Sequence, residues 1–174
     1  MKTRLLVLLM ISVCELPHAG DNRIRKDEGS TPVATYIRAL PGMTPRRGPH
    51  KPVLAFFLRF VDFGCEVCLN NFLDFCDSLN SNASRYGART IVMIFQRDDN
   101  KESYQLKTLK KWSRACNVNF PVYLAVPRVF EDFKIDYSTA VLLNESEVIE
   151  LSAKIPLPVD TQKEFIAKLF HDGR

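Results

Sequence analysis

Val53-Leu54-Ala55-Phe56-Phe57-Leu58 is the run that most constrains the fold. Six apolar residues in succession cannot alternate between a core face and a wet face. The segment must therefore be a strand covered on both sides, as in a parallel sheet. Thr90 to Phe95 repeats the pattern, and Phe120 to Ala125 reads as a third strand. Between the first two strands, Cys65, Cys68, Leu69, Phe72, Leu73, Cys76 and Leu79 recur at steps of three and four, which defines one face of a helix. Ser103 to Cys116 reads as a basic amphipathic helix. It carries Leu109, Trp112 and Cys116 on one face and Lys107, Lys110, Lys111 and Arg114 elsewhere. Gly87 marks a turn and Pro127 to Phe133 a short helix. Thr139 to Leu143 and Val148 to Ser152 read as a hairpin joined by Asn144 to Glu147. Thr161 and Glu164 form a capping box for a last helix with Phe165, Ile166, Leu169 and Phe170 on its buried face. The order β-α-β-α-β-α-β-β-α predicts an α/β domain with a mixed sheet.

The front of the chain has a different character. Lys2 and Arg4 precede a nine-residue apolar run, Leu5 to Val13. A bilayer span takes about 20 residues, so this run is too short to cross. It fits the apolar centre of an export signal, and residues 1–20 are assigned that role. Cys14 directly after the run resembles a lipoprotein cysteine, although Ile11-Ser12-Val13 lacks the usual small residue before it. Residues 21–51 carry seven Lys and Arg against three acids. They read as a basic linker with a short strand-like patch at Val33 to Leu40, ahead of a domain at residues 52–174. The net charge of +4 comes from this front end, which leaves the body almost neutral. A nucleic-acid binder carries its basic patch on the folded body, so that class is set aside. An exported chain with five cysteines belongs to an oxidising compartment.

Cys65-Glu66-Val67-Cys68 carries the chemistry. It stands after a buried strand and opens an amphipathic helix. Unsatisfied N–H groups and the dipole of that helix stabilise a thiolate on the first cysteine. Cys68 lies one turn on, in reach of a mixed disulfide on Cys65. Cys65 is thus the candidate nucleophile and Cys68 the resolving thiol. Glu66, exposed, would push the Cys65 pKa slightly upward. A closed zinc site needs four ligands, and neither a second CxxC nor a histidine pair is present. Cys76 and Cys116 read as structural, and a disulfide between them cannot be derived from spacing. His18, His50 and His171 are lone residues given no catalytic role. Trp112 reads as core. Asn82-Ala83-Ser84 and Asn144-Glu145-Ser146 are glycosylation sequons, meaningful only in a eukaryotic secretory pathway.

Strand, CxxC, helix, strand, an extra helix and strand, short helix and terminal ββα together resemble the thioredoxin-like three-layer fold, with the insertion of the TlpA-like and redoxin (peroxiredoxin-related) branches. The resemblance covers roughly residues 33–172. It implies an exported, periplasmic or envelope-associated thiol-disulfide oxidoreductase acting on protein thiols and disulfides, without a bound cofactor or metal. It also implies a membrane electron donor and leaves room for peripheral or lipid-anchored attachment.

Three departures stand out. Gly64, with Phe63 before it, occupies the place the family usually gives to an aromatic residue. Ser138, followed by Thr139, occupies the place of the family's cis-proline, and this pair is the candidate substrate-docking loop. The loop from Arg59 to Gly64 is longer than the family pattern, with Phe60 and Phe63 placed to cover the site.

Three further functions compete with the oxidoreductase. A thioredoxin-like binding or scaffold module fits the missing proline and Gly64. A thiol peroxidase would want Thr three residues and Pro seven residues before its cysteine. Asp62 and Leu58 stand there before Cys65, and Cys65 and Val61 before Cys68. Copper delivery would use a CxxxC, one residue longer than the spacing here.

Overall fold

The computed structural model describes residues 32–43, 51–86, 89–97 and 102–170. The leader, Cys14, His18, most of the linker, His50, Gly87 and His171 lie outside the described residues.

Five strands form one mixed sheet. They are β1 (Val53–Leu58), β2 (Thr90–Gln96), β3 (Val122–Ala125), β4 (Thr139–Leu143) and β5 (Ile149–Lys154), in spatial order β3-β2-β1-β4-β5. β1 is central: it pairs parallel with β2 and antiparallel with β4. All six of its residues are buried, as an uninterrupted apolar run requires. β2 pairs parallel with β3, and β4 pairs antiparallel with β5, with an irregularity at Leu142/Leu143.

Helices cover both faces. α2 (Glu66–Tyr86), α3 (Glu102–Ala115) and α5 (Val159–Phe170) pack on one side through Phe72, Phe75, Leu79, Leu109, Phe165 and Leu169. Phe56 meets Phe72 and Phe75 edge-to-face, with centroids 5.3 and 5.9 Å apart, a favoured aromatic arrangement. α1 (Pro32–Ala39) and α4 (Pro127–Asp132) cover the other side, where Ala34, Ile37, Leu40 and Phe130 pack on Ala55, Phe57 and Val141. The α3–β3 unit is the extra helix and strand of the sequence reading, and it supplies the outermost parallel strand.

Several boundaries differ from expectation. Val33 to Leu40 is helical rather than strand-like. Ala34 and Ile37 lie three residues apart on one side of a turn that begins at Pro32, a residue suited to a helix start. That face is buried against the sheet, and Arg38 anchors it by donating from Nε to Glu147 Oε1 at 3.0 Å. Tyr123 donates its hydroxyl to the Pro41 carbonyl at 2.6 Å. α2 continues to Tyr86 through a polar stretch. Its Ser78, Ser81 and Ser84 hydroxyls donate to carbonyls one turn earlier and stay inside the helix.

α5 begins at Val159, so Thr161 lies within the helix and the capping box is not used. The segment before it is held from outside. Asn71 on α2 accepts from the Leu157 N–H at 2.9 Å and donates to the Leu157 carbonyl at 3.0 Å.

Candidate functional site

Cys65 and Cys68 lie where β1 ends and α2 begins. Arg59 follows β1, a single 3-10 turn spans Phe60–Phe63, and Gly64 closes it in a right-handed helical conformation (φ −66°, ψ −17°). A side-chain carbon on Gly64 would meet only the Val61 carbonyl oxygen at 3.6 Å, so neither torsion nor space demands glycine there. The Cys65 carbonyl accepts the N–H of Leu69 at 3.0 Å, which makes Cys65 the residue that caps α2. Both cysteines are partly exposed thiols.

The Cys65 thiol is held below its ordinary pKa. The chief cause is the Cys68 side chain, which hydrogen-bonds the sulfur, followed by the Cys68 backbone N–H, with a smaller contribution from the Val67 N–H. The two N–H groups belong to the first turn of α2, ahead of the helix's own hydrogen-bond ladder, and favour charge on the sulfur. Glu66, between the two cysteines, is exposed.

The other two thiols are of the opposite kind. Burial pushes Cys76 far above the ordinary thiol range, and Asp77 and Cys116 add to the rise. Cys116 is raised by burial and by Asp77. Neither favours a thiolate. Among the described residues, no three His, Cys, Asp or Glu side chains come together as metal ligands would.

Phe63 is partly buried and packs on Phe72 with centroids 5.4 Å apart, so it supports the turn from beneath. Phe60 leans on Phe95 at 5.3 Å and remains 44% exposed. Ser138 and Thr139 are both buried, at 0% and 5% exposure, at the start of β4. Their polar groups are used internally. Asp62 Oδ2 accepts from the Ser138 N–H at 2.6 Å and from its hydroxyl at 2.8 Å. The Ser138 Oγ accepts from the Arg59 N–H at 2.9 Å, and its carbonyl accepts from the Ile155 N–H at 2.8 Å. Thr139 donates its hydroxyl to the Tyr137 carbonyl at 2.7 Å. The exposed residues of this loop are Asp136 and Tyr137.

Sequence reasoning passed over Arg59 and Asp62. Arg59 bonds Gln96 Oε1 at 3.2 Å and the Asp136 carbonyl, which joins the ends of β1 and β2 to the loop before β4. The available signal was two charged residues in an otherwise apolar Arg59-Phe60-Val61-Asp62-Phe63 stretch.

The large apolar side chains left exposed among the described residues are Phe60, Val61, Val67, Val126, Tyr137 and Val159. All but Val159 adjoin strand ends that meet at one end of the sheet. Leu58 pairs with Phe95, Gln96 with Ala125, Phe57 with Thr139, and Thr139 with Lys154, so the strand ends nearest these residues meet there. The dithiol opens at the same end, in the crevice beyond the carboxyl ends of the parallel strands.

No protein-family model and no curated protein matches the chain. Solved structures do. An exposed lipoprotein thioredoxin from Streptococcus pneumoniae is 16% identical over 70% of this chain and 87% of its own, with a TM-score of 0.49. A secreted Mycobacterium tuberculosis disulfide oxidoreductase is 18% identical over 68% and 80%, with a TM-score of 0.48. A Chlorobium tepidum protein provisionally described as the thiol:disulfide interchange protein DsbE is 12% identical over 70% and 82%, with a TM-score of 0.51. At such identities the likeness is one of fold, and the last match carries it, together with the strand order and the helices on both faces of the sheet. The chain has the thioredoxin-like fold, with a mixed five-stranded sheet between flanking helices.

Proposed function

We propose that the protein is an exported thiol-disulfide oxidoreductase that reduces or exchanges disulfides in partner polypeptides. The observation that carries this reading is the placement of two partly exposed thiols, Cys65 and Cys68, at the start of α2, where Cys68 and the helix-start N–H groups favour a thiolate on Cys65. The Cys65 thiolate attacks one sulfur of a partner disulfide. The partner S–S bond breaks, a Cys65–partner bond forms, and the released partner thiolate takes up a proton. Cys68 then gives up its proton and attacks the Cys65 sulfur. The Cys65–Cys68 disulfide forms, the second partner thiol leaves, and the partner has gained two electrons. An external dithiol, presented by a membrane donor, returns the pair to the reduced state.

The apolar rim of Phe60, Val61, Val67, Val126 and Tyr137 supports docking of an extended polypeptide over the dithiol. The leader supports export to the periplasm or cell envelope. Among the described residues no helix is long and apolar enough to cross a membrane.

One observation favours a second reading, a binding module without exchange chemistry. The Ser138 N–H and carbonyl are both engaged internally, so this loop offers a partner no free Ser138 backbone group.

The reduction potential of the Cys65–Cys68 pair decides between the two, with Cys65→Ser and Cys68→Ser as controls. A reversible couple between about −300 and −120 mV is expected of a working oxidoreductase. A pair that ordinary redox buffers leave unchanged would leave the binding module.

A further inference from the structure

We propose that Asp62 is a positioning residue for disulfide exchange: its carboxylate fixes the Ser138 loop beside the dithiol, so that a partner polypeptide is held over Cys65. The inference rests on the redox reading above. Asp62 lies three residues before Cys65, in the turn that delivers the chain to α2. Its Oδ2 takes both the N–H and the hydroxyl of a fully buried Ser138, 76 residues further along the chain. Hydrogen bonds to a carboxylate are short and strong, and two on one oxygen fix direction as well as distance.

The same Ser138 hydroxyl accepts the Arg59 N–H, and the Arg59 guanidinium reaches Gln96 and the Asp136 carbonyl. Every bond in this set joins the turn before the CxxC to the end of β2 or to the loop before β4. Tyr137, directly before Ser138, is one of the exposed residues of the apolar rim. Because the Ser138 backbone is engaged internally, the loop meets a partner through such exposed side chains. Their distance from Cys65 is then set by the Asp62 bonds. A small disulfide needs only the sulfur and ignores the loop. A polypeptide disulfide needs both.

The test is single-turnover oxidation of the fully reduced protein by two disulfides, insulin and hydroxyethyl disulfide, over a range of concentrations. Wild type, Asp62→Ala and Asp62→Asn are compared, each first shown to be folded by circular dichroism. Asp62→Ala is expected to raise the half-saturating insulin concentration about tenfold, equivalent to about 1.4 kcal/mol of binding. Its limiting rate and its rate with hydroxyethyl disulfide stay at the wild-type values. Asp62→Asn keeps an acceptor for Ser138 and recovers most of the loss.

Equal changes with both disulfides would overturn the inference, because Asp62 would then act on the thiol itself. So would no change with either, or a fall in limiting rate alone. Wild-type protein inert to both disulfides would overturn the redox reading and this inference with it, a result unlike any of the others. Should Asp62→Ala not fold, Ser138→Ala removes one of the two Asp62 bonds together with the acceptor of the Arg59 N–H. It must then show a smaller rise confined to insulin, and an unchanged insulin response overturns the proposal.

Discussion

Asn71 holds the turn before α5 by a two-point bridge, and its removal has a calculable cost. Leu157 is 1% exposed. Its N–H has Asn71 Oδ1 as acceptor at 2.9 Å, while its carbonyl receives both Asn71 Nδ2 and Gln162 Nε2 at 3.0 Å. Asn71→Ala therefore orphans the buried N–H but leaves the carbonyl one donor. An unsatisfied buried donor costs about 1–3 kcal/mol and a lost neutral bond about 1 kcal/mol, so the substitution should cost about 2–4 kcal/mol. For a domain of this size each kcal/mol lowers Tm by about 2–4 °C, which gives a fall of roughly 5–15 °C.

Asn71→Asp separates the two contributions. The carboxylate still accepts from Leu157 and stands near the start of α5, where a helix dipole favours negative charge, but its second oxygen faces the Leu157 carbonyl in place of the Nδ2 donor. It should cost less than Asn71→Ala, about 1–2 kcal/mol. Urea titration of the three proteins measures this, with m unchanged if only native stability moves. Equal losses in the Ala and Asp variants, or an Ala variant within a few tenths of a kcal/mol of wild type, would refute the reasoning.

The packing and the thiols give three further predictions. Ile37→Ala should cost about 2–5 kcal/mol in urea unfolding, since Ile37 is fully buried against the sheet; a solvated linker would lose almost nothing. Iodoacetamide should label Cys65 first and at the lowest pH, with Cys76 unreactive until the protein unfolds, as mass spectrometry of timed samples would show. The signs for stability are opposite. Cys65, lowered in the folded state, contributes stability above the unfolded thiol pKa, and that contribution is lost as pH falls through its folded value. Cys76, raised in the folded state, ionises first in the unfolded chain, so its effect is a decline in stability as pH climbs above about 8.5. Cys65 is largely solvated, so the net alkaline trend should be downward and should flatten in Cys76→Ala.

β1, β2 and β4 were legible because a strand buried on both faces leaves an unbroken apolar run. The position of Cys65 and Cys68 at a helix start was legible because it follows from local spacing. α1 was not. Val33, Tyr36 and Ile37 have strand-favouring side chains, and the surrounding charges resemble those of a linker. Burial of Ala34 and Ile37 against the sheet outweighs both signals. The Thr161–Glu164 pattern misled because α5 receives its bridge from Asn71, 86 residues away from Leu157. Asp62 and Arg59 escaped for the same reason: their partners are set by topology, which no window of neighbouring residues contains.

Among the described residues β3 and β5 are the edge strands of the sheet, and their character bears on how the protein survives crowding with other unfolded chains. Free strand edges invite pairing with foreign backbone. β3, on one edge, is only four residues long. β5, on the other, is longer but is guarded at both ends. Its Glu150 is engaged by Lys168 at 2.6 Å, and its Lys154 ammonium lies 4.3 Å from the centre of the Tyr137 ring. The pairing with β4 is also interrupted at Leu142/Leu143. Under the proposed function the protein would meet exposed strands of its partners constantly. A short strand on one edge and a charged, irregular one on the other would let it bring such chains to its thiols without recruiting them into its own sheet.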